Sequence, residues 1–339
     1  IDRRVDSAET TGARALLGDP VASKVPGDLS VPAAAADGGS AVYSLSSASL
    51  GVCVALSVQL RVGDRVRRGR ALTAVVPRDP ALAVGMSPQE VEAVLSPLRE
   101  ALVARAAEAA VRGELGERPD IVILDGPLIP PESVGLAARV GGYLKLAREA
   151  VEAYLDAHSS LLRAAMEEGV TLIGFVKRPR SHYLSLISGG GGATLSDSAI
   201  ASAVLTEVGQ LAPYRPIELW EAELDSIIGY PEIRAALEPG SVSFAFVRTT
   251  KRRPPFRVDF GNLAEPLSDP RVVAGYLVAT ADSEGIPLPV VKADESVKVS
   301  RRVARDVYLE SLRRLIARAA RSGASTRRVI QLLTPMYGE

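Results

Sequence analysis

The chain has 339 residues, and its 40 basic and 40 acidic side chains cancel to a formal net charge of zero, so any polyanion must be met by local patches and not by a global positive field. Apolar residues make up 47%, which excludes a disordered chain and allows a large packed core. One cysteine (Cys53) and two histidines (His158 and His182) exclude an internal disulfide framework and a Cys/His metal cluster.

Residues 1–30 are polar and mixed, and read as an N-terminal arm with a short helix at 7–17. Residues 31–339 read as a single domain, with no linker long enough to divide it. From 31 to 78 the segments VPAAAA, AVYSLSS, GVCVALSVQLRV and ALTAVVP read as a strand meander with Gly and Ser at the turns. In this reading Asp37 ends the first strand. The sequence then switches to helical period. Ser87 is a candidate N-cap, with Pro88 at the first helical position and Glu90 three residues after the cap. Val91, Val94, Leu95, Leu98, Leu102 and Val103 make the apolar stripe, and Pro97 could kink or split the helix. DIVILDG follows as a short buried strand ended by Asp125. A helical pattern covers 132–168, and VTLIGFVK is the next buried strand, ending at Lys177. SGGGG at 188–192 is a loop, and no GK[ST] follows it to make a phosphate cradle. SVSFAFVRTT and FRVDFG are two strands flanking a Pro- and Arg-rich hairpin, and helices at 269–283, 296–319 and 325–333 complete the chain.

Meander, helix, strand, helix, strand is the order of the ribonuclease H-like architecture: an α/β fold with a mixed sheet flanked by helices. That order brings the two Asp-Gly pairs to neighbouring central strands. Two close carboxylates repel and resist burial, and a divalent cation relieves both costs. Mg²⁺ and Mn²⁺ take such oxygen ligands and support phosphodiester cleavage. The glycine after each Asp leaves room for a phosphate. A third carboxylate is expected from the helix between the strands. Glu100 and Glu108 lie eight residues apart on nearly one face; Glu108 is preferred, because it stands near the helix end leading back to the Asp125 strand, and Glu100 is the runner-up. Lys177 would emerge at the same sheet edge, suited to a phosphate as a point charge. Arg178, Arg180 and His182 continue that basic run, and Arg248, Lys251, Arg252, Arg253 and Arg257 form another after a later strand. Together they predict a nucleic-acid track that contacts mostly phosphates, because aromatics are only 4% of the chain. Arginine outnumbers lysine 34 to 6, and the chain holds one asparagine and four glutamines, a composition expected of a thermophile protein. No apolar run reaches the ~18 residues of a membrane helix. No secretory pattern opens the chain, so a cytoplasmic location is expected.

Five segments in order, AAADGGS, DIVILDGPLI, TLIGFVKRPRS, FAFVRTT with PFRVDF, and GIPLPVVKADESVKVS, resemble the NurA nucleases of archaea over residues 31–305. The resemblance implies a homodimer around a central channel. It implies Mn²⁺- or Mg²⁺-dependent degradation of DNA from 5′ to 3′, with cutting of single strands. It also implies work with the hexameric HerA helicase-translocase, beside Mre11–Rad50, in resecting DNA ends during double-strand break repair. Asp37 and Asp125 would be metal ligands and Glu108 the helix-borne third. One departure stands in the last motif, where the family usually carries a Tyr and a His. Here Ile286 and Asp294 take those places, and Asp294 could still bind a metal ion through oxygen. Lys298 and Ser300 match the motif's tail and add Lys298 to the expected DNA contacts. The lost Tyr and His also motivate a second reading, a catalytically weakened DNA-threading adaptor of the translocase. A third, an actin-like-fold phosphotransferase, rests only on the DGGS turn.

Overall fold

The computed structural model describes residues 14–15, 17–27, 30–45, 48–61, 65–77, 86–129, 144–179, 181–184, 196–218, 242–299 and 301–321. Most of the expected N-terminal helix, the SGGGG loop, Arg180, Ser300 and the expected 325–333 helix lie outside them. In chain order the strands are β1 (Val21–Ala22), β2 (Ala33–Leu45), β3 (Ala48–Leu60), β4 (Arg67–Arg68) and β5 (Leu72–Val76). Helix α1 (Pro88–Val111), β6 (Ile121–Leu124), α2 (Leu144–Glu167), β7 (Thr171–Val176) and α3 (Asp197–Val204) follow. Then come β8 (Gln210–Glu218), β9 (Ser243–Val247), β10 (Phe256–Asn262), α4 (Pro270–Ala279), α5 (Leu288–Ser296) and α6 (Arg301–Arg321).

All ten strands join one mixed sheet in the order β1-β8-β9-β10-β7-β6-β2-β3-β4, with β5 also on β3. The β2-β3-β5 meander is antiparallel, and β6 and β7 then add parallel to β2, the ribonuclease H-like order read from the sequence. Two hydrophobic cores lie on its two faces. Ala34 and Ala36 of β2 face α1 and α2; Ala33 and Ala35 face α4 and α5. Alanine at four successive buried positions of β2 lets helices approach the sheet centre from both sides.

Asp37 does not end a strand. β2 runs straight through DGGS, with Asp37 opposite Leu56, Gly38 opposite Ala55 and Gly39 opposite Val54. The expected break was read from the glycines, but here they mark close contacts rather than a turn. A Cβ on Gly38 would lie 2.7 Å from Val103 Cγ2 of α1, and one on Gly39 only 2.0 Å from the Val297 carbonyl oxygen that follows α5. Thus each glycine admits one helix, one on each face. Ser87 caps α1 in a complete capping box with Glu90, and the helix continues unbroken through Pro97. The expected 296–319 helix is α6, which starts at Arg301; ahead of it stands α5, not expected from sequence, with Pro287 at its cap and Pro289 in its first turn. β8 and α3 were not expected from sequence. The two prolines of QLAPYRPIE argue against a strand, yet β8 accommodates them where its register with β9 shifts between Ala212 and Ile217. No helix among the described residues is long and apolar enough to cross a membrane.

Candidate metal centre and active site

Parallel pairing of β2 with β6 sets Ala36 level with Leu124, and the Asp125 N–H extends the ladder to the Ala36 carbonyl at 3.0 Å. Asp37 and Asp125 therefore leave adjacent strands at the same height. Helix α5 brings Asp294 to them, and one carboxylate oxygen from each of the three lies within 4.8 Å of the others. β7 ends beside β6 and delivers Lys177, whose ammonium donates to Asp125 Oδ2 at 2.5 Å. Asp37, Asp125 and Lys177 line one cavity of about 530 Å³, together with Gly38, Arg99, Glu100, Val103 and Arg178.

Electrostatically the site is short of positive charge. Burial, and then the neighbouring Asp125 charge, push the Asp37 carboxyl up to about 7, with Asp294 adding to the effect. Burial also raises Asp125, although Lys177 pulls the other way. Three carboxylates offering only hard oxygen donors fit Mg²⁺ or Mn²⁺, and a cation there would relieve the repulsion that holds Asp37 up.

Glu108 is not in this cavity. Its carboxylate accepts from Ser160 Oγ and from Arg112 Nε, both at 3.0 Å, near the C-terminal end of α1. The helix end nearest in sequence leads to the start of β6, whereas Asp125 follows its far end, about 13 Å further along a four-residue strand. Glu100 stands about 12 Å back along the helix axis, and it is the α1 carboxylate on the cavity wall. Arg99 Nη2 holds it at 2.6 Å. Glu100→Gln should therefore weaken Mn²⁺ affinity at least about tenfold, as loss of a group beside a metal site does, and Glu108→Gln should leave it nearly unchanged; Mn²⁺ titrations of the two purified variants check this.

Gly126 has φ +150° with nothing within 4 Å of a built Cβ, so room for a ligand is present after Asp125. The space beside Gly38, in contrast, is filled by α1.

The basic residues divide. Arg178, His182 and Arg253 line a second cavity next to the first, and Arg253 pairs with Glu284 on the surface. Lys251 pairs with Glu207 at 2.7 Å with both side chains well exposed, and Arg252 is exposed. Arg248 instead ties down backbone, donating from Nε to the Leu205 carbonyl at 2.6 Å. Lys298 lies 3.5 Å from Asp294 Oδ2.

Arg257 does not belong to a DNA surface. It is 4% exposed and locked to the fully buried Asp259, Nε to Oδ1 at 2.8 Å. Asp259 Oδ2 accepts from the N–H groups of Leu128 (3.0 Å) and Ile129 (3.4 Å), in the loop after Asp125. Arg257 Nη1 donates to Ser181 Oγ at 2.9 Å, in the loop after Lys177, and its guanidinium covers the Tyr183 ring. Asp197 at the start of α3 accepts from the Tyr183 and Leu184 N–H groups. The network thus ties together the two loops that carry Asp125 and Lys177. Its signal was present in FRVDF: two opposite charges at i and i+2 on one face of an otherwise apolar strand read as an internal pair. Arg99 left no comparable signal.

A ribonuclease H-like mixed sheet whose neighbouring strands β2, β6 and β7 bring Asp37, Asp125 and Lys177 side by side, with Asp294 added from α5, defines a protein with a nuclease-type acidic centre. The sequence profile of the NurA domain matches residues 31–299, and the chain belongs to the NurA family. Among solved structures, the NurA nuclease from Sulfolobus solfataricus superposes with a TM-score of 0.56 at 16% identity, covering 88% of both chains. A NurA structure with manganese gives 0.54 at 11% identity, over 91% of this chain and 94% of that one. A NurA bound to dAMP and manganese also gives 0.54 at 11% identity, over 87% and 89%. No curated protein matches the chain in sequence.

Proposed function

We propose that the chain is a divalent-metal-dependent deoxyribonuclease, with Mn²⁺ or Mg²⁺ held by Asp37, Asp125 and Asp294. The observation that carries the reading is the convergence of those three carboxylates, within 4.8 Å of one another, beside Lys177. A divalent ion bound there would supply Lewis-acid polarisation of the phosphodiester and lower the pKa of an attacking water. The chain's own part is positioning. Lys177 fixes the Asp125 carboxylate and, with Arg178, adds positive charge where a phosphate would enter. Glu100, steadied by Arg99, is a fourth carboxylate able to orient the incoming water. Asp294 occupies the position where the sequence resemblance expects histidine, and its placement beside Asp37 and Asp125 supports a working oxygen-only ligand set over a weakened adaptor.

The wider reading follows family membership: one domain over 31–339, a cytoplasmic homodimer that degrades DNA 5′ to 3′ and cuts single strands, and a role in end resection with a HerA-type translocase beside Mre11–Rad50.

Purified chain should degrade end-labelled DNA with Mn²⁺ and leave it intact with EDTA. A folded chain inert with both Mn²⁺ and Mg²⁺ would favour the adaptor. Because Asp37 titrates at about 7 without metal and must be ionised to bind one, Mn²⁺ competes with a proton there. At subsaturating Mn²⁺, activity should fall roughly tenfold per pH unit below about pH 7, and added Mn²⁺ should move that limb to lower pH. A pH profile at two Mn²⁺ concentrations reads this directly.

A further inference from the structure

The second cavity, of about 480 Å³, shares Lys177 and Arg178 with the carboxylate cavity, but among the described residues its lining holds no carboxylate. Three elements build it. The segment after β7 gives Lys177, Arg178, Pro179 and His182; the β9–β10 hairpin gives Arg253 with two prolines; the start of α3 gives Ser196 and Ser198. β7 and β10 are adjacent strands, so the loop and the hairpin emerge side by side. The volume falls in the roughly 300–1,000 Å³ range of small-ligand sites. The prolines form a rigid apolar wall that suits a sugar or base. The arginines suit a phosphate. Arg253 is held at this wall by Glu284, Nε to Oε2 at 2.8 Å, with both side chains 44% exposed. An exposed pair of that kind is weak enough for a phosphate to compete with Glu284.

We propose that this cavity is a subsite for the nucleotide flanking the scissile phosphodiester, with its phosphate taken between Arg178 and Arg253. The identity of the ligand rests on the nuclease reading. The charge pattern sets the direction: a polyanionic strand is repelled by three carboxylates unless a metal ion covers them, and is attracted by the basic cavity beside them. The subsite would therefore hold the strand while the carboxylate cavity receives the bond to be cut.

The test uses full-length chain and a single-stranded oligonucleotide in which one neutral methylphosphonate is moved linkage by linkage past the cleaved bond. In wild type, one linkage beside that bond should raise KM about tenfold when neutralised, the loss of one charge-assisted contact. Arg253→Ala should raise KM similarly on the unmodified strand and flatten the log–log salt dependence by about 0.7. In that variant the methylphosphonate should add less than twofold. Mn²⁺ binding by Arg253→Ala, read by electron paramagnetic resonance, should match wild type. An equal methylphosphonate penalty in wild type and variant at every linkage, or loss of Mn²⁺ binding in the variant, would overturn the subsite. If wild type cleaves nothing, the nuclease reading fails by itself. The same oligonucleotides then report by equilibrium binding, where coupling between Arg253 and one phosphate supports the subsite and its absence overturns it.

Discussion

Asp37→Asn is expected to lower Mn²⁺-dependent cleavage by more than about 100-fold, since losing a direct ligand should exceed the 10–100-fold typical of an outer-shell partner. The same change should stabilise the metal-free protein. Burial and Asp125 raise the folded-state pKa of Asp37 to about 7, well above its unfolded value near 3.8. A raised carboxyl pKa contributes stability that is present at pH below about 4 and is lost as pH rises towards 7. Asparagine carries no charge and escapes that loss. The melting temperature of Asp37→Asn should therefore exceed that of wild type increasingly from pH 4 to 7 and stay above it beyond. With saturating Mn²⁺ the order should reverse, because only wild type gains binding energy. Thermal melts of both proteins across pH, with and without Mn²⁺, would show it. A variant less stable than wild type in the metal-free state at pH 8 would mean that Asp37 is a structural residue and not a strained ligand.

Arg257→Ala should destabilise the fold by about 3–5 kcal/mol, because it strands the Asp259 charge in a fully buried position. Replacing both partners by apolar residues, Arg257→Met with Asp259→Leu, should recover most of that stability, since a buried pair often gains little over well-packed hydrophobes. It should not recover activity. Asp259 holds the Leu128 and Ile129 N–H groups behind Asp125, and Arg257 holds Ser181 behind Lys177, so the double variant loses the ties of both loops. Denaturation curves and Mn²⁺ titrations of the single and double variants separate the two effects. A double variant with restored stability and unchanged Mn²⁺ affinity would show that the network serves folding alone.

Much of the fold was legible because its local signals agree. The β-branched runs of β6 and β7, the capping box of α1 and the Pro-rich β9–β10 hairpin each point to one element, and their order has few topological solutions. Asp37, Asp125 and Lys177 were legible for the same reason: each sits at or near the end of a buried segment whose register the fold then aligns. Three features were not. DGGS carries turn chemistry, but its glycines answer helices distant in sequence, and only tertiary packing shows that. Glu100 and Glu108 share one helical face, so periodicity cannot rank them; the direction of β6 does. Arg257 looks like part of a basic surface run until the strand that carries it is found buried on both faces.

The central claim is that Asp37, Asp125 and Asp294 form one divalent-metal site. Crystals of the wild-type chain soaked in MnCl₂, with data collected at the manganese absorption edge, test it most directly. An anomalous peak at roughly 2.2 Å from oxygens of all three carboxylates, with Glu100 on the near wall and Glu108 remote, is the predicted result. A manganese peak at Glu108, or none among the three aspartates at saturating Mn²⁺, would contradict it.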